Sequence, residues 1–157
     1  MKYHIIIYTT LFFLISCNRN SVDVEPIDKQ LNDRFERGIQ YYQISNFEDL
    51  SDQHLMNQLE VFREGVSLKK ENEEYDRFQL FFYKKSFFTN YKKYALEAVE
   101  ENEFGGIGEY RDNLIAQFIF SKISHNRYKY TRVIYNNDNP DNIYDIKLER
   151  NDTIILK

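Results

Sequence analysis

At position 127 the chain changes its period. Upstream, apolar side chains recur at intervals of three and four, the repeat of a helix that buries one face. Downstream, β-branched and aromatic residues crowd into short runs parted by turn formers. A chain patterned this way buries its apolar residues by packing helices against a small sheet. The expected fold class is therefore α+β, with four or five N-terminal helices (27–126) followed by a small C-terminal antiparallel β-meander (127–157), all in one globular domain.

Ile27, Leu31, Phe35, Ile39 and Tyr42 define the first helical face, and Asp28 and Asp33 lie toward its start, where the helix dipole favours negative charge. Ser51 suits the N-cap of a second helix with Leu55, Leu59 and Phe62 inward, and Gly65 suits a left-handed residue just past its end. Residues 68–103 are densely aromatic. On one continuous helix Lys84 would fall inside the stripe of Leu80, Phe87, Phe88 and Tyr91, and a buried unpaired lysine is costly. A break near residues 84–86 is favoured, with Ser86 capping a further helix to about Glu103. Gly105, Gly106 and Gly108 mark a turn, and a last helix carries Tyr110, Leu114, Ile115, Phe118 and Ile119 to about His125 and Asn126.

The meander is expected as a strand at 127–135 (RYKYTRVIY), a turn region at 136–142 (NNDNPDN), and an alternating strand at 143–148 with Tyr144, Ile146 and Leu148 on one face. A second turn at 149–152 then precedes a third strand at 153–156.

Composition narrows the function classes. Of 157 residues 17% are aromatic, all Phe or Tyr, too many for a disordered chain. There are 21 Lys+Arg against 25 Asp+Glu, a formal net charge of −4. That balance argues against nucleic acid as a partner, because phosphates call for a basic field. A single cysteine excludes an internal disulfide framework and a cysteine-based zinc site.

That cysteine ends the N-terminal run MKYHIIIYTTLFFLISC. Lys2 gives a short positive start, and Ile5 to Ile15 form an uncharged apolar core. About 11 residues are too few to cross a bilayer of about 30 Å as a helix, but they fit a signal-peptide core of roughly 7–15. The sequence Leu14-Ile15-Ser16-Cys17 resembles the lipobox of bacterial lipoproteins. The resemblance covers residues 1–17 and names a targeting class. It implies a signal peptide at 1–16, cleavage before Cys17, a diacylglyceryl group on the Cys17 thiol and an acyl group on its freed amine, palmitate being the usual kind of chain. Two or more chains anchor a protein stably. The expected location is thus the bacterial cell envelope, held on a membrane by lipid. Asn18 stands where an aspartate would be the inner-membrane retention signal of some enteric bacteria, so the resemblance favours an outer membrane, facing periplasm or surface. Residues 17–26 become the lipidated cysteine and a mostly polar tether, whose nine residues after Cys17 reach at most ~30 Å.

Histidine chemistry is thin. His54 and His125 are the histidines outside the leader, and neither follows a Glu or Asp at the spacing of a di-iron helix pair or belongs to an HExxH. His54 beside Ser51 and Asp52 is no triad, since a triad is a geometry across the fold. His125 near a helix end has an ordinary electrostatic explanation. A calcium loop counted from Asp138 would place Glu149 at its last position, but Pro140 and Ile143 occupy positions where an acidic ligand and glycine belong. The glycines at 105–108 lack a Walker lysine. Glu97 and Glu101, with Glu100 and Glu103 beside them, could hold a hard cation or act as an acid/base pair, though a solvated acidic face accounts for them. Lys84, Lys85, Lys92 and Lys93 interleave with aromatics and could meet anionic lipid or an acidic partner, though any amphipathic helix shows such a pattern.

No catalytic, cofactor-binding or metal residue is assigned from this pattern, and Cys17, as the lipidation site, is the one assigned position. The expectation is a lipid-anchored envelope protein without catalytic activity that binds an envelope protein partner. The alternatives are a small envelope hydrolase or solute- or cation-binding protein, and an immunity or inhibitor lipoprotein acting against a toxin.

Overall fold

In the computed structural model of the chain, residues 21–27, 38–66, 76–86, 113–136 and 145–155 are described. They form six strands, β1 (Asp23–Pro26), β2 (Ile39–Ser45), β3 (Arg77–Lys84), β4 (Leu114–Ser124), β5 (Arg127–Tyr135) and β6 (Ile146–Ile155), and one helix, α1 (Asp52–Gly65), between β2 and β3. The expectation of four or five helices followed by a small meander is overturned: the described residues make a six-stranded mixed sheet in the order β1 to β6, with a single helix.

Where the described residues overlap the expected helices outside α1, they form β2, β3 and β4, strands with buried residues on both faces. In β3, Phe78, Leu80 and Phe82 point toward α1 while Phe81 and Tyr83 join a second cluster on the opposite side. In β4, Ala116, Phe118 and Phe120 face α1 and Leu114 faces away. A strand covered on both sides loses its polar alternation and reads as a nearly continuous apolar run, in which spacings of three and four occur by chance. Ile39 and Tyr42, placed on a helical stripe from sequence, lie in β2. The last expected helix is β4, and His125-Asn126 is the two-residue hairpin turn that joins it to β5.

The helix expected from Ser51 is present. The Ser51 hydroxyl accepts the His54 N–H at 3.3 Å, and Leu55, Met56 and Leu59 are buried against the sheet. Full burial of side chains of this kind stabilises by roughly 1.5–3 kcal/mol each. Gly65 is not a left-handed cap: it is the last helical residue, and the extended Val66 returns its N–H to the Arg63 carbonyl.

All neighbouring strands are antiparallel except β2 and β3, which run parallel. A parallel pair requires a crossover, and α1 lies within it. At the other end of the sheet the turn expected at 149–152 is absent. β6 passes straight through it, with Glu149 opposite Val133 and Asp152 opposite Tyr130. An outermost strand needs no apolar alternation, so its polar middle looked like a turn.

Residues 28–37 of the expected first helix, residues 87–103 of the helix expected from Ser86 with Lys92, Lys93 and the acidic cluster of Glu97, Glu100, Glu101 and Glu103, the glycine turn expected at 105–108, and residues 137–144 of the expected turn region and following strand lie outside the described residues, as do residues 1–20 with Cys17. Among the described residues no helix is long and apolar enough to cross a membrane.

Candidate functional site

The carboxyl ends of β2 and β3 come together where α1 begins. In open sheets with parallel strands this is the place where a crevice forms, because the chain leaves the sheet and must climb over its face to start the helix. Here the climb is made by residues 46–51. Asn46 takes a left-handed backbone (φ 60°), and its side-chain amide donates to Asp23 of β1 at 2.6 Å. A turn closed from the Leu50 N–H to the Phe47 carbonyl then leads to the Ser51 cap.

Beneath this loop lies a cleft of about 360 Å³. Leu55 of α1, Ile115 of β4 and Ile134 of β5 form its buried floor, and Phe47 and Leu50 close its side. Four charged residues stand around it: Glu48 and Asp52 from the loop and helix start, Lys84 from the end of β3 and Lys147 from β6.

Two irregularities in the sheet shape the cleft. Phe82 pairs with Ala116 and Tyr83 with Leu114, so Ile115 is an extra residue in β4. Ile134 pairs with Leu148 and Tyr135 with Ile146, so Lys147 is an extra residue in β6. A bulge bends its strand and re-aims the unpaired side chain. Both extra residues, on different strands, line the same cleft.

Two of the rim charges form an ion pair. The Lys84 ammonium lies 3.3 Å from the Glu48 carboxylate and 5.9 Å from the centre of the Phe47 ring. Hydrogen bonding to its own backbone N–H, then Lys84 and the Phe47 N–H, hold the Glu48 carboxyl below the usual glutamate range against the opposing effect of partial burial. Glu48 therefore stays ionised at neutral pH. Lys85 turns away to Glu25 of β1 at 2.8 Å. Lys84 thus ends β3, Lys85 follows it, and the two serve different partners.

The residues singled out from sequence are not brought together. His54 is exposed on the outer face of α1, beside a shallow open depression lined by Gln53, Asn57 and Val61. His125 is exposed at the far end of β4 from the cleft. Glu149 lies on a strand and accepts from the Asn151 amide at 2.7 Å, which is not the geometry of a calcium loop. Among the described residues no three of His, Cys, Asp and Glu gather as metal ligands. The sequence reasoning missed Phe47, Glu48, Leu50 and Lys147. The signal for the first three was the short polar-apolar link between residue 45 and the Ser51 cap, too short to be anything but an ordered turn.

A second polar cluster joins α1 to the sheet. Glu60 accepts from the Tyr130 hydroxyl at 2.9 Å, from Arg132 at 2.5 Å and from Arg63 at 3.3 Å. The Arg132 guanidinium also engages Asp152 of β6 and lies 4.8 Å from the centre of the Tyr130 ring. This cluster ties α1 to the sheet through Glu60, and within it Arg132 Nε is buried without a hydrogen-bond partner.

No protein-family model matches the chain, and neither the curated proteins nor the solved structures contain a significant match to it. The class that fold and site define is accordingly a physical one: among the described residues, a mixed sheet with one helix across one face and a bulge-shaped cleft at the helix start.

Proposed function

We propose that the chain is a lipid-anchored protein of the bacterial cell envelope that binds another envelope protein through the cleft at the start of α1, without catalytic chemistry. The observation that carries the reading is the composition of the cleft: an aliphatic floor with a ring of two carboxylates and two ammonium groups. Such a lining seats an apolar side chain and fixes its orientation by charge on either side, which is how interfaces combine a buried anchor with a polar rim. The lipobox-like leader supports the location, because an anchored domain on a short tether meets its partners on or near one membrane surface.

A second reading, a receptor for a small amphipathic solute, is favoured by the cleft's size, since about 360 Å³ falls within the range of small-molecule sites.

Capture with the full chain from detergent-solubilised envelope, compared with Lys147→Glu and Glu48→Lys, separates these readings. The proposal expects one protein retained in stoichiometric amount by the wild-type chain and at least tenfold less by either variant. Equal retention by all three contradicts a role for the cleft.

A further inference from the structure

The two edges of the sheet are unlike. β1 offers four residues and ends at Pro26, which has no N–H to give to a further strand. β6 offers ten, without proline or glycine, and nearly all of them are exposed. Among the described residues no strand pairs with its outer side. An open edge of this length is a template for another strand unless its side chains forbid one. The charges on β6 are the usual deterrent, so their order decides what can pair there.

Consider a second copy of the chain related by a two-fold axis normal to the sheet. The two β6 strands then run antiparallel, and residues of the same face stand directly opposite each other. If the axis passes at Glu149, Arg150 or Asp152, a residue meets its own like charge, which is destabilising. If it passes at Asn151, the outcome changes. Arg150 stands opposite Asp152 of the second copy, and Leu148 opposite Ile154 of the second copy, each pair occurring twice. Glu149 then faces Thr153, and the uncharged Asn151 faces itself.

The faces are right as well. Leu148, Arg150, Asp152 and Ile154 lie opposite Ile134, Arg132, Tyr130 and Tyr128 of β5, so all four belong to the α1 side of the sheet. Leu148 and Ile154 already pack on the helix-side core but are only half-buried there. A second copy would cover their open sides. Asp152 remains half-exposed while engaging Arg132, which leaves a carboxylate oxygen for a second guanidinium.

We infer that β6 is a self-complementary edge and that the chain forms a two-fold dimer, its sheet continuous across both copies and centred on Asn151. The inference rests on the edge alone and is independent of what the cleft binds.

The test is site-specific disulfide formation in the full chain, purified from membranes in detergent, with the wild-type chain and its single cysteine as background. Asn151→Cys is expected to give a disulfide-linked dimer on mild oxidation. Glu149→Cys is not, because the register displaces the two copies of residue 149 from each other by four positions, beyond the ~7 Å between Cα atoms that a disulfide can bridge. Sedimentation velocity supplies a second readout: the wild-type chain should show a concentration-dependent dimer mass, and Arg150→Glu should weaken association at least tenfold. Equal cross-linking from both cysteine positions, or a monomer mass for the wild-type chain at every concentration, overturns the inference and leaves the edge to an extended segment of another protein.

Discussion

Arg132 of β5 and Glu60 of α1 meet at 2.5 Å across the only layer boundary between described helix and sheet, with both side chains mostly shielded from water. The same carboxylate takes the Tyr130 hydroxyl, and the same guanidinium reaches Asp152 on the edge strand. One acidic residue on the helix therefore fixes how α1 lies over β5, and through Arg132 it couples the helix to β6.

Removing Glu60 should expose the cost of this arrangement. Glu60→Ala leaves the buried Tyr130 phenol without its acceptor and a largely buried arginine with Asp152 as its remaining carboxylate, and a loss of about 2–4 kcal/mol in urea denaturation is expected, near the lower end of what breaking a buried pair costs. Asp152→Asn, at a side chain 56% exposed, should cost less than about 1 kcal/mol. Equal effects from the two variants would show that the network is not anchored on Glu60.

Tyr130 gives the chain a distinctive alkaline behaviour. Burial first, and then the adjacent Glu60 carboxylate, push its hydroxyl far above the ordinary tyrosine range, against the opposing pull of Arg63 and Arg132. The neutral phenol is favoured by the fold, so this contribution to stability is complete below the unfolded value of about 10 and shrinks as pH rises above it. Denaturation midpoints should fall steadily above pH ~10, more steeply in the wild type than in Tyr130→Phe. A phenolate spectrum in which every tyrosine, Tyr130 included, ionises before the chain unfolds would contradict this.

The leader makes a separate prediction. Cys17→Ala should abolish acyl labelling and leave an uncleaved or mislocalised precursor. Normal labelling of that variant would refute the lipobox reading without bearing on the cleft or on β6.

What the sequence revealed and what it hid have physical causes. α1 was legible because its cap and its inward residues are local: Ser51, Leu55 and Leu59 sit within three turns. β5 was legible because its β-branched and aromatic run is bounded by a turn. β3 and β4 were not, since Phe78 through Tyr83 and Leu114 through Phe120 are largely covered on both faces and carry only Gln79 and Gln117 as polar interruptions to betray a strand. The middle of β6 was hidden for the opposite reason, being exposed on both faces. The cleft was beyond reach of any local reading, because it is assembled from the β2–α1 loop, the start of α1 and four separate strands, and because Ile115 and Lys147 enter it only through bulges that depend on pairing register.

The central claim, that the cleft at the start of α1 is where a partner binds, is tested most directly by photo-crosslinking in the living cell. A photoreactive phenylalanine analogue would replace Phe47, beside the cleft, and in a separate strain Val61, 72% exposed on the outer face of α1. The account predicts one discrete protein adduct from position 47 and none from position 61. No adduct from position 47, or the same adducts from both positions, would contradict it.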